Sequence, residues 1–125
     1  MSDVQVGGTW GAIQDNGFTA SFDIEMQGQV NLIEFGINNP FAFGTRIDGG
    51  TRCSHSNGTV RSHAATGYVQ NDFFQLTVTW NNNTQGLYTG FLRRSGDKKG
   101  RITGDTRDLI HGSHARWESD RTFPL

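Results

Sequence analysis

The chain is expected to fold as an all-β domain, an antiparallel up-and-down β-barrel of about eight strands. Three observations point there. Several stretches alternate apolar and polar residues with a period of two, as a half-buried strand does. Tight-turn sequences separate them, Asp15-Asn16-Gly17 being the strongest. Nowhere does an apolar stripe recur at helical spacing over a useful length. Composition agrees, because 17 Gly against 2 Pro, with many Asn and Thr, suits a chain that turns often and extends between turns.

Taken in order, Thr9 to Gln14 reads as the first strand, and the turn at Asp15-Asn16-Gly17 folds it onto Phe18 to Met26. In that second strand Phe18, Ala20, Phe22, Ile24 and Met26 form a dry face against Thr19, Ser21, Asp23 and Glu25. Val30 to Ile37 reads as a third strand whose apolar phase slips between Leu32 and Ile33, the signature of a bulge or of burial on both faces. Residues 38–58 are mostly turns, with Phe41, Phe43 and Ile47 marking one short strand. Thr59 to Val69 is expected to point Val60, Ala64 and Tyr68 inward. Gln70-Asn71-Asp72 then turns it into Phe73 to Trp80, where Phe74, Leu76, Val78 and Trp80 share one face. After the polar loop of Asn81 to Gly86, the last strands are Leu87 to Arg93, Arg101 to Asp108 and Ala115 to Phe123. A sheet of this size escapes unpaired edges by closing on itself, and such a barrel has room for one small ligand.

With 125 residues the chain builds one domain, residues 1–125, around a single core. Apolar residues are only 34% of the chain, so nine Phe, three Trp and two Tyr must supply much of that core. Eleven basic and twelve acidic side chains nearly cancel, which argues against nucleic acid or an anionic membrane as partner. Arg93, Arg94, Lys98, Lys99 and Arg101 surround Ser95-Gly96-Asp97 and read as the charged tip of a hairpin. Cys53 is the only cysteine, so no disulfide forms within the chain. The start, MSDVQVGGTW, has no basic segment followed by an apolar run, and no stretch has the length of a membrane span. A soluble protein is expected.

Gly8-Thr9-Trp10 opening the first strand, Phe74 to Trp80 followed by a polar loop and Tyr88-Thr89-Gly90, and Trp117-Glu118-Ser119 running to Thr122-Phe123 together resemble the avidin and streptavidin group of calycin barrels. The resemblance implies an up-and-down barrel with a ligand pocket at one open end, often in a tetramer, so a homo-oligomer is among the expectations. It does not carry biotin. Ala12 and Asn16 stand where the family places an Asn and a Ser for the ureido oxygen, and Asn83 and Gln85 replace hydroxyl residues after the central tryptophan. Asp120 lies near the family's pocket Asp but one residue out of phase, which turns a strand residue to the other face.

Small-ligand sites join aromatic walls to a few amides and hydroxyls. On that basis Trp80, Trp117, Asn83 and Tyr88 are expected to converge at one barrel end, with Asn16 and Asp120 as further candidate ligand-binding residues. The competing reading makes Trp10, Trp80 and Trp117 barrel plugs or interface residues, since large side chains are mostly buried for packing. Cys53, His55, His63, His111 and His114 follow no standard zinc spacing, so no metal or other cofactor is expected. No Gly-x-Ser-x-Gly elbow or phosphate-cradling glycine loop is present, and Asp23 and Glu25 fall on a wet strand face. The functional classes left are a non-enzymatic binder of a small molecule, a carbohydrate-binding lectin whose tryptophans stack on a glycan, and a small barrel enzyme without a recognisable motif.

Overall fold

The computed structural model describes residues 3–56, 58–94 and 99–124. Its strands are β1 (Gly8–Gln14), β2 (Thr19–Asn31), β3 (Phe43–Asp48), β4 (Ser54–His55), β5 (Val60–Gln70), β6 (Phe73–Trp80), β7 (Gln85–Arg94), β8 (Lys99–Asp108), β9 (His114–Ser119) and β10 (Phe123–Pro124). Eight of them form a closed antiparallel barrel with up-and-down connections, in the order β1-β2-β3-β5-β6-β7-β8-β9 and back to β1. Closure removes the unpaired edges. The two short strands patch gaps: β4 continues the line of β3 between β2 and β5, and β10 continues β9 along β8.

Period-two alternation sets what lies inside. On β1 the inward residues are Trp10, Ala12 and Gln14; on β2 they include Ala20, Phe22 and Ile24; on β6 they are Phe74, Leu76, Val78 and Trp80. The centre is aromatic. Trp10 meets Phe22 and Phe123 edge-on at centroid distances of 5.2 and 5.0 Å, and Phe22 meets Tyr88 at 5.0 Å. The N-terminal segment seals one end, where Val4 and Val6 are buried, the Val4 amide donates to the Asn71 carbonyl, and Asp3 accepts from the Asn71 amide and the Thr45 hydroxyl.

Five sequence readings change. Val30 to Ile37 is not a strand: β2 runs on to Asn31, and Leu32–Phe35 is a 3₁₀ turn. Asn31 caps it by accepting from the Ile33 amide, and Gly36 ends it at φ 86°, a left-handed conformation that glycine adopts without strain. The apolar slip therefore marked a change of element, while the actual bulge sits earlier, between Met26 and Gly28. In β5 a second bulge between Ser62 and Ala64 resets the phase, so Ala65 points inward and Ala64 does not. Tyr68 is buried outside the barrel, against Val30 and Leu32, because the 3₁₀ turn covers that face. Phe41 lies outside β3 and is 85% exposed. Finally, the last strand is broken at residues 120–122, where the Ser119 hydroxyl donates to the Arg121 carbonyl and accepts from the Ile102 amide.

Of the basic hairpin tip, Arg93, Arg94 and Lys99 stand at the strand ends and Arg101 within β8, while residues 95–98 lie outside the described residues.

Candidate functional site

Four connections meet at the end opposite the N-terminal seal: the β1–β2 turn, the segment carrying β4, the β6–β7 loop and the β8–β9 loop. They surround a cavity of about 250 Å³. Each connection is pinned. In the β1–β2 turn the Phe18 amide donates to Asn16 Oδ1, and the Asp15 amide and carboxylate bond to the backbone of Arg116 on β9. In the β6–β7 loop Asn82 Oδ1 accepts from the amide and hydroxyl of Thr84. Asp108 fixes the β8–β9 loop by accepting from the amides of Ile110 and His111 and pairing with the His111 ring at 3.0 Å. The His111 amide bond above all holds the Asp108 carboxyl below its usual range.

Inside the mouth, His55 stands between two aromatic rings, 5.6 Å from Phe18 and 5.4 Å from Trp80. Its Nδ1 is 2.7 Å from Ser56 Oγ, and its Nε2 is 3.4 Å from the amide nitrogen of Gln14. That amide nitrogen also donates to the Tyr88 hydroxyl at 3.3 Å. Gln14 comes from β1, Tyr88 from β7 and Thr106 from β8; all three are buried and line the cavity. The floor is thus a set of uncharged polar groups on rigid strands.

Burial keeps it uncharged. The Tyr88 phenol is pushed up to about 12 by desolvation, with hydrogen bonds from Thr106 and Gln14 pulling the other way. Burial also pushes the His55 imidazole below its ordinary value of 6.5. An unfolded chain then takes up this proton before the folded one does. Stability from His55 is full above about pH 6.5 and is lost as pH falls through the lower folded value. Urea midpoints should therefore drop more between pH 7 and pH 5 in the parent than in a His55→Gln variant. Equal drops would mean that the ring is as easily protonated folded as unfolded.

The expected cluster is only partly assembled. Trp80, Tyr88 and Asn16 line the same cavity. Trp117 does not reach it; this indole lies deeper, 6.1 Å from Tyr88 and stacked on Trp10 at 6.2 Å, with Nε1 donating to the carbonyls of Thr89 and Asp105. The reason is position along the strand, since Trp117 pairs with Gly104 in the body of the barrel whereas Trp80 ends β6 at the mouth. Asn83 is an exposed corner residue at φ 66°, and its neighbours Asn82 and Thr84 line the cavity instead. Asp120 sits on the outer side of β1, where its carboxylate accepts from the Gly11 amide at 2.9 Å, consistent with the phase shift read from the sequence.

Gln14, His55 and Phe18 are site residues that motif reading passed over. A signal existed for Gln14, because period two from Trp10 and Ala12 places this amide on the inner face at the end of β1. Phe18 has the right phase for the core, yet it is 51% exposed because it stands above the last ladder pair. His55 carried no signal, since only the pairing of β4 with β2 and β5 brings it over the mouth. Cys53 is in the core, its amide bonded to the Ser62 hydroxyl, and among the described residues no three His, Cys, Asp or Glu side chains converge. The chain matches no protein-family model, no curated protein and no solved structure.

Proposed function

We propose that this barrel is a binding protein that holds a small molecule in its open end, and that the ligand is not biotin. The observation that carries the reading is the meeting of Trp80, Phe18 and His55 rings with the Gln14 amide and Tyr88 hydroxyl around one cavity. Aromatic walls with a few fixed polar groups are the usual make-up of a small-molecule site. At about 250 Å³ the cavity is at the lower edge of the usual range, so the ligand is compact or projects from the mouth.

A lectin would need a tryptophan face laid open to a sugar. Trp80 is only 5% exposed, and Trp10 and Trp117 are more buried still, which favours the pocket. The test is to screen a metabolite library and a glycan array in parallel, then titrate each hit by calorimetry against the parent and a Trp80→Phe variant. A small-molecule hit should bind Trp80→Phe roughly tenfold or more weakly, because the variant keeps the bulk but loses the indole donor. Hits confined to the glycan array, or unchanged affinity in Trp80→Phe, would set the proposal aside.

A further inference from the structure

The polar atoms of the cavity are not all used by the protein. Gln14 spends its amide nitrogen on His55 and Tyr88, and its Oε1 accepts no hydrogen bond from any described residue. The Trp80 indole N–H likewise finds no acceptor among the described residues, although Trp10 and Trp117 both place theirs on backbone carbonyls. Gln14 is 93% buried by its 7% exposure, and Trp80 is 5% exposed. No fully buried side-chain nitrogen or oxygen lacks a partner among the described residues, so these two atoms are reachable, and both side chains line the cavity. A Cβ added at Gly86, which also lines the cavity, would lie 3.3 Å from the Trp80 indole nitrogen and 3.3 Å from the Tyr88 ring.

Resting on the small-molecule reading above, we infer that this site takes a neutral planar ring with an N–H beside a carbonyl, the lactam or cyclic-amide class. The ligand N–H would donate to Gln14 Oε1, and its carbonyl would accept from the Trp80 N–H. A flat ring fits the aromatic walls of His55, Phe18 and Trp80. Charge on the ring is disfavoured because the deep lining groups Gln14, His55, Trp80, Tyr88 and Thr106 offer no counter-ion, and a buried charge without one is costly. Of the charged lining residues, Arg107 is exposed to solvent, and Asp108 is half-buried and already engaged by His111. A charged substituent therefore belongs outside the mouth.

Matched ligands test this on the intact parent protein, with no variant that might misfold. The probes are quinolin-2-one, its N-methyl derivative and quinoline-2-carboxylate, each titrated while the amide and indole resonances of Gln14, His55, Trp80 and Tyr88 are followed by NMR. Quinolin-2-one should shift them and bind roughly tenfold or more tightly than the N-methyl compound, which leaves Gln14 Oε1 unpaired, with the carboxylate weaker still. Equal binding by the methylated lactam, or tighter binding by the carboxylate, would overturn the inference while leaving the pocket reading intact. No shift with any probe would also overturn it, and the library screen above then decides separately whether the pocket binds at all.

Discussion

Truncating Phe22 to Ala is expected to remove about 3–5 kcal/mol of stability. Phe22 has no exposed surface and stands at the centre of the barrel, edge-on to Trp10 at 5.2 Å and to Tyr88 at 5.0 Å. Those rings belong to β1 and β7, strands held in place by closed hydrogen-bond ladders, so the walls have little freedom to fill the space left behind. A domain of this kind has about 5–15 kcal/mol in total, so the variant should unfold at much lower urea. A midpoint close to the parent's would place Phe22 outside the core.

Trp117→Ala should cost a similar amount, about 3–5 kcal/mol, and should separate the two tryptophans that sequence reading grouped together. The indole packs on Trp10, Phe74 and Tyr88 and is buried. Its N–H also serves two carbonyls, those of Thr89 and Asp105. Trp117→Phe keeps much of the packing and loses that donor, so a smaller cost of about 1–3 kcal/mol is expected. Trp80→Phe, at the mouth, should lose less stability than Trp117→Phe and more ligand affinity. The four variants are compared by urea denaturation on one scale. A reversed order, with Trp80→Phe the less stable of the two Phe variants, would mean that Trp117 is not the structural tryptophan.

Packing also explains why small residues interrupt β7 and β8 near Trp117. Gly90 and Gly104 face each other across the ladder, and a Cβ at Gly104 would collide with the Thr89 carbonyl and the Gly90 Cα. The two strands therefore approach closely beside an indole bonded to both. This is a backbone requirement, and it gives the Thr89-Gly90 pair a structural meaning apart from any ligand.

Much of the barrel is legible in the sequence because alternation is a local property. Phe74, Leu76, Val78 and Trp80 face inward as their period of two requires, and Asp15-Asn16-Gly17 turns β1 onto β2. Where a residue was inserted, local phase failed: the bulge at Ser62/Ala64 sends Ala65 inward, and the cap at Asn31 with the left-handed Gly36 makes a 3₁₀ turn of a stretch as apolar as a strand. Local alternation is enough for the β class, the main strands and the inward phase of Gln14. Three-dimensional pairing sets how far along the barrel axis each aromatic sits, and so puts Trp80 at the mouth and Trp117 in the core. Height in a barrel depends on the stagger between paired strands, and that stagger is set by long-range pairings such as Gly104 with Trp117. It likewise took β4, two residues held between β2 and β5, to bring His55 against Gln14 and complete the site.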